Sequence, residues 1–131
     1  MARILIVDDE EIDRFFQSSV LKDAGHELLF APDGEAALEV WRDQAIDLVI
    51  TDLAMPHLNG LRLIKSLKEL DPDARIIAVS GVAADQLDLA EDFGAMRTLF
   101  KPVGPEVLLT AVQEILARPL PGTWDPWGSG I

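Results

Sequence analysis

The residues best suited to chemistry in this sequence are acids, a hydroxyl and a lysine, and each follows a short apolar run. They are Asp8, Asp9, Asp52, Ser80 and Lys101. Two unit charges about 4 Å apart repel by roughly 1 kcal/mol in water and about 4 kcal/mol at an effective dielectric constant near 20. Carboxylates that meet therefore need a cation beside them. Mg²⁺ binds a few carboxylates and keeps positions open for water or a phosphate oxygen. This set therefore predicts a magnesium site, with Lys101 as a second positive charge.

Each of these residues also has an ordinary structural interpretation. Asp8 or Asp9 would cap a following helix, where aspartate is favoured by about 1 kcal/mol over alanine. Asp52 would form a turn, Ser80 would bond to neighbouring backbone, and Lys101 would be a surface charge. Their joint position after predicted strands favours a shared site over these separate roles.

The apolar pattern predicts the elements that position these residues. Strands are predicted at residues 4–7, 27–31, 48–50, 76–79 and 97–100, and helices from 11 to the residue before Gly25, around 37–41, and at 61–70, 84–93 and 105–117. Alternating strands and helices favour a parallel sheet with helices on both faces. The functional crevice of such a sheet lies outside the carboxyl ends of its strands. Phe100 is expected in the core.

Composition limits the other possibilities. The chain has 131 residues, of which 49% are hydrophobic, and this suits one globular domain. The absence of cysteine removes thiol chemistry and disulfides and favours a cytoplasmic location. The apolar run at the N-terminus is too short for a signal peptide or a membrane span. A formal net charge of −12 opposes binding to nucleic acid or anionic lipid.

The last segment differs from the rest of the chain. Residues 1–117 are expected to form the domain, and residues 118–131, RPLPGTWDPWGSGI, an irregular tail containing Trp124 and Trp127. His26 and His57 stand alone without metal-ligand spacing, which argues against a zinc site.

Four motifs in order resemble one known family. They are Asp8-Asp9 after the first strand, the D-x-x-M-P-x-x-x-G pattern at 52–60 after the third, Ser80-Gly81 after the fourth and Lys101-Pro102 after the fifth. Over about residues 3–117 the chain closely resembles the receiver domains of two-component response regulators. The resemblance implies a doubly wound five-stranded parallel sheet with helices on both faces, flavodoxin-like, with strand order 2-1-3-4-5.

The resemblance also implies the roles of individual residues. Asp52 matches the phosphoacceptor and Asp9 a direct Mg²⁺ ligand, while Asp8 matches an acid that binds the metal through water or supports the site. The backbone carbonyl of Ala54 would complete the protein's share of the metal shell, together with Asp52 itself. Ser80 and Lys101 match the residues that bond the phosphoryl group, and Pro102 the proline that follows a cis peptide bond.

A phospho-histidine on a sensor histidine kinase or a histidine phosphotransfer protein is the phosphoryl donor implied by the family. The chain would act as a signalling switch rather than an enzyme and would bind a downstream protein that the sequence does not identify. Thr98 stands where the family usually has an aromatic switch residue. A threonine has no ring to swing, so the output is expected to depart from the usual pattern.

Two other functions fit parts of the pattern. A magnesium-dependent phosphatase of similar topology would also use aspartates, but such enzymes usually place the nucleophile after the first strand. A receiver-like interaction module that does not depend on phosphate would suit Thr98. The complete set of Asp8, Asp9, Asp52, Ser80 and Lys101 favours the phosphorylated switch over both.

Overall fold

A computed structural model of the protein describes residues 2–54, 59–81 and 84–118. The strands are β1 (Arg3–Val7), β2 (Glu27–Ala31), β3 (Leu48–Asp52), β4 (Ile76–Ser80) and β5 (Arg97–Phe100). The helices are α1 (Glu11–Asp23), α2 (Gly34–Asp43), α3 (Gly60–Leu70), α4 (Ala84–Phe93) and α5 (Pro105–Ala117). The alternation of strands and helices predicted from the apolar pattern is confirmed.

The strands form one parallel sheet in the order β2-β1-β3-β4-β5. The central strand β3 is buried along its whole length, as is β4 beside it. Continuous apolar runs suit such strands because helices cover both faces of a parallel sheet. The predicted doubly wound fold and its strand order are confirmed.

Two hydrophobic cores lie on opposite faces of the sheet, and residue alternation along each strand assigns side chains to them. In β1, Leu5 and Val7 face the core formed with α2, α3 and α4, whereas Ile4 and Ile6 face the core formed with α1 and α5. All four side chains are fully buried. This packing fixes the end of β1 and therefore the position of the acids that follow it.

Several large apolar side chains remain exposed, among them two at the start of α1 and one at the end of β5. Near the start of α1, Ile12 is 82% exposed and Phe15 is 73% exposed, although Leu21 at the far end of the helix is buried. The expectation that Phe100 lies in the core is wrong, since it is 54% exposed. Leu99 faces the core with α5, so Phe100 points to the other face at the end of an edge strand.

The N-terminus of α2 is capped by the Asp33 carboxylate, which accepts a hydrogen bond from the backbone N–H of Ala36 at 2.9 Å. Asp33→Ala is expected to lower the free energy of unfolding by about 1 kcal/mol, because the cap bond is lost. Chemical denaturation measures this change. Glu39→Ala, at an exposed position of the same helix, is the control, and an equal loss in both variants would contradict the cap assignment.

Parts of the sequence-based interpretation lie outside the described residues. These parts are the tail from residue 119 onward, with Trp124 and Trp127, and the Met55-Pro56-His57 portion of the motif after β3. Within the described residues, the helices are too short or too polar to cross a membrane.

Candidate functional site

The ends of β1 and β3 bring two buried acids together. Val7 pairs with Thr51 in the parallel register, so the next residues of the two strands, Asp8 and Asp52, are neighbours at the carboxyl edge of the sheet. Asp8 is 1% exposed and Asp52 is 6% exposed. Burial makes these carboxylates costly to ionise unless a cation or hydrogen-bond donors stand beside them.

Lys101, directly after β5, supplies that cation. Its Nζ donates hydrogen bonds to Asp13 Oδ2 at 2.8 Å, Asp8 Oδ2 at 3.0 Å and Asp52 Oδ2 at 3.3 Å. An ammonium group has three N–H donors, so one donor is available for each carboxylate. Lys101 therefore links the start of α1 to the ends of β1 and β3.

A second cation position is suggested by the carboxylates themselves. Asp8, Asp9 and Asp52 each place one oxygen within 4.8 Å of the others. Asp9 is exposed, so solvent reaches one side of the cluster. A set made of carboxylate oxygens and open to water fits a hard divalent cation such as Mg²⁺.

The pKa values of Asp52 and Lys101 are both raised, but for different reasons. Burial raises the pKa of Asp52, and the charge of Asp8 raises it further, while Lys101 opposes both effects without cancelling them. Burial alone would lower the pKa of Lys101, but its hydrogen bonds to Asp13 and Asp8 and the charge of Asp52 raise that pKa overall. Lys101 is thus held protonated, and burial disfavours the ionised form of Asp52 despite the ammonium beside it.

Backbone hydrogen bonds hold both acids in place. Asp8 Oδ1 accepts from the N–H of Glu10 at 2.9 Å, and the carbonyl of Asp8 accepts from Arg14 Nη1 at 2.6 Å. Asp52 Oδ1 accepts a long bond from the N–H of Ala54 at 3.4 Å. One oxygen of each carboxylate is therefore oriented by the backbone and the other by Lys101.

The remaining predicted residues surround this centre. Ser80, the last residue of β4, is fully buried, and its carbonyl accepts from the N–H of Lys101 at 3.0 Å. The peptide bond between Lys101 and Pro102 is cis. Thr98 lies on β5, the strand next to β4. Its Oγ1 donates a hydrogen bond to Glu91 Oε1 of α4 at 3.2 Å. Thr98 is thus linked to α4 rather than to the acidic centre.

Asp13 belongs to the site but was not predicted from the sequence. It lies in the first turn of α1 and accepts the shortest of the three Lys101 hydrogen bonds. A signal was present, because α1 begins at the carboxyl edge of β1 and an acid in its first turn starts close to the strand ends. The rotation of the helix about its axis, which turns Asp13 toward Lys101, is set by packing.

Comparison with known proteins identifies the family. The family described as "Response regulator receiver domain" matches this chain over residues 4–113. A response regulator receiver protein of Anaeromyxobacter sp. is 36% identical over 82% of this chain, which spans 46% of that relative. The chemotaxis protein CheY of Thermotoga maritima is 31% identical, with 86% of this chain and 96% of CheY covered.

Solved structures agree with the sequence relatives. The crystal structure of the response regulator protein TrrA from Thermotoga maritima, in complex with Mg²⁺-BeF, superposes with a TM-score of 0.81 at 31% identity. The comparison covers 88% of this chain and 99% of TrrA. The family match over residues 4–113 and the shared fold show that the chain belongs to the receiver domain family. Members of this family are signalling domains of two-component systems rather than enzymes in the usual sense.

Proposed function

We propose that Asp52 accepts a phosphoryl group from a phospho-histidine of a sensor histidine kinase or a histidine phosphotransfer protein, in a reaction that depends on Mg²⁺. The observation that carries this proposal is the meeting of Lys101 with the Asp8, Asp9 and Asp52 cluster, with Lys101 Nζ 3.3 Å from Asp52 Oδ2. The site thereby combines a nucleophile, a fixed positive charge and the ligands of a divalent cation.

Phosphoryl transfer follows from these positions. An oxygen of Asp52 forms the new bond to phosphorus while the bond from phosphorus to the histidine nitrogen of the donor breaks, and that nitrogen keeps the electron pair. Lys101 stabilises negative charge on the transferred oxygens, and the hydroxyl of Ser80 donates a hydrogen bond to the same phosphoryl group. The product is an acyl phosphate on Asp52.

Mg²⁺ would be held by Asp8, Asp9 and Asp52 together with the carbonyl of Ala54. When bound, it neutralises charge on the phosphoryl oxygens and offsets the repulsion among the acids. The donor set supports this assignment, because three carboxylate oxygens lie within 4.8 Å of one another in the described part of the chain.

The donor is proposed to be a protein that covers the start of α1. The exposed apolar residues Ile12 and Phe15 lie on this helix, and Ile12 and Phe16 line a groove that also contains Lys101. A protein that delivers a phosphoryl group to Asp52 must approach this edge of the sheet, and burial of these side chains would favour its binding. The high negative charge of the chain makes nucleic acid an unsuitable partner.

Phosphorylation is proposed to switch a protein-binding surface rather than a catalytic activity. The added charge would recruit Ser80 at the end of β4. Thr98 stands at the position of the family's aromatic switch and joins β5 to α4 through a hydrogen bond to Glu91 instead. We assign the receiver unit to residues 1–117, place the protein in the cytoplasm and expect its downstream target to be another protein.

The test is incubation with Mg²⁺ and acetyl phosphate, followed by intact-mass measurement. We expect the mass of one phosphoryl group to be added, the adduct to map to the peptide containing Asp52, and both neutral hydroxylamine and omission of Mg²⁺ to abolish it. Asp33→Asn, a change at the N-cap of α2, should leave labelling intact.

The other functions predict different results from the same experiment. A protein that takes no phosphoryl group under these conditions would be an interaction module that does not depend on phosphate. Rapid consumption of many equivalents of acetyl phosphate per protein would instead indicate a phosphatase. Either result contradicts the proposal.

A further inference from the structure

Asp13 is the acceptor that Lys101 approaches most closely. Lys101 Nζ lies 2.8 Å from Asp13 Oδ2, compared with 3.0 Å from Asp8 Oδ2 and 3.3 Å from Asp52 Oδ2. The side chain of Asp13 is 33% exposed, whereas those of Asp8 and Asp52 are 2% and 6% exposed. The shortest bond of Lys101 therefore goes to the most accessible of its three acceptors.

Asp13 also differs from the other acceptors in its relation to the candidate cation position. Asp8 and Asp52 both belong to the described cluster of potential metal ligands, whereas Asp13 does not. Two of the three hydrogen bonds of Lys101 thus go to carboxylates that would also bind the divalent cation. Binding of that cation weakens the attraction of these two groups for the ammonium and adds a repulsive charge nearby.

We infer that Asp13 is a positioning residue that keeps the Lys101 ammonium beside Asp52 when a divalent cation occupies the Asp8, Asp9 and Asp52 cluster. This inference rests on the proposed phosphoacceptor function. Lys101 has a flexible four-carbon stem, so an anchor at its tip determines whether a donor N–H remains within reach of the phosphoryl oxygens. Asp13 supplies this anchor from α1 without using a carboxylate of the cation site.

Asp13→Asn tests the inference because it removes the charge of the acceptor and keeps its shape. With saturating Mg²⁺ and excess acetyl phosphate, the rate of Asp52 phosphorylation is expected to fall about fivefold, the scale of a partly exposed hydrogen bond between charged groups. Glu11→Gln makes the same change of charge in the same helical turn and is expected to change the rate by less than about twofold.

A second measurement locates Lys101 without any transfer reaction. In ¹⁵N-labelled protein loaded with Mg²⁺, the ammonium N–H signal of Lys101 should be observable while its protons are held in hydrogen bonds. We expect this signal to be lost by rapid solvent exchange in Asp13→Asn and retained in Glu11→Gln. A purely structural role for Asp13 would lower the unfolding temperature without this selective loss.

A double-mutant cycle completes the test. Asp13→Asn should have no further effect on the rate in a Lys101→Met background, because it acts through Lys101. The inference is overturned if Asp13→Asn matches Glu11→Gln in rate, if it slows the Lys101→Met variant equally, or if the Lys101 signal is unchanged. A wild-type protein that takes no phosphoryl group contradicts the proposed function, and the NMR comparison still decides whether Asp13 holds Lys101.

Discussion

Asp52→Asn is expected to abolish phosphorylation by acetyl phosphate and at the same time to stabilise the protein. An amide cannot replace the carboxylate as the oxygen nucleophile that forms an acyl phosphate. In the intact-mass experiment we therefore expect no adduct on the variant under conditions that label the wild-type protein fully. Labelling of the variant at a wild-type rate would show that the acceptor is a different residue.

The gain in stability follows from the environment of the Asp52 carboxylate. Burial raises its pKa in the native state, the charge of Asp8 raises it further, and Lys101 offsets only part of this effect. Because the native pKa exceeds that of the unfolded chain, the native protein is favoured most when Asp52 is protonated. This contribution is complete below the unfolded-state pKa and is lost as pH rises through the native pKa.

The stability difference between Asp52→Asn and the wild-type protein should therefore grow with pH. It should be smallest in acid, where Asp52 is protonated in both states, and should favour the variant increasingly as pH rises toward neutral. Urea denaturation in EDTA at several pH values measures this. Asp43→Asn, at an exposed position of α2, is the control, and a variant less stable than wild type at neutral pH would contradict the argument.

Mg²⁺ should act against this difference in stability. A cation that binds the native Asp8, Asp9 and Asp52 cluster stabilises the wild-type protein through its binding free energy, and loss of one carboxylate ligand weakens that binding. We expect added Mg²⁺ to raise the unfolding free energy of the wild-type protein more than that of Asp52→Asn. If both results are obtained, the acid that serves the proposed function is one that destabilises the metal-free fold.

Sequence alone was sufficient for the fold because each strand is marked by its pattern. The runs Ile4–Val7 and Leu48–Ile50 are uninterrupted and apolar, as strands buried on both faces must be, and they lie in the sheet interior. The acids after these runs meet for the same reason, since parallel strands end at one edge. The sequence alone therefore predicts that Asp8, Asp52 and Lys101 lie close together.

Features that depend on helix rotation or on the sheet edges could not be predicted in this way. Ile12 and Phe15 recur at helical spacing in α1, yet both are exposed, because the buried positions Gln17 and Leu21 lie on another face of the helix. Phe100 is apolar but lies at the end of an edge strand. Asp13 stands in a first helical turn near the strand ends, but its contact with Lys101 depends on how α1 packs against the sheet.

Gly60→Ala is expected to damage both stability and the site, because this glycine packs directly against the backbone that carries Asp52. A Cβ atom at Gly60 would lie 2.1 Å from the carbonyl oxygen of Asp52 and 2.6 Å from the Cα of Leu53. The N–H of Gly60 also donates to the carbonyl of Leu53 at 3.0 Å. These neighbours are backbone atoms at the end of a buried strand, so a side chain at Gly60 must displace either β3 or α3.

The expected loss is about 3 kcal/mol of unfolding free energy, the upper part of the range for overpacking in a rigid interior. Because relief of the clash moves the Asp52 backbone, we also expect phosphorylation by acetyl phosphate to slow more than about tenfold, since small misplacements at a reacting centre have large effects on rate. Urea denaturation and intact-mass kinetics on the same samples measure the two losses.

Gly104→Ala provides the matched control. Gly104 caps α5 with an extended backbone at φ −68°, and a Cβ atom there would have no heavy atom of the described residues within 4 Å. Alanine is a poorer cap than glycine, so a loss of under about 1 kcal/mol is expected, with an unchanged rate of phosphorylation. If Gly60→Ala were no more harmful than Gly104→Ala, the close approach of α3 to β3 would not be what fixes Asp52, and its position would have to depend on the hydrogen bonds of Lys101 and Ala54 instead.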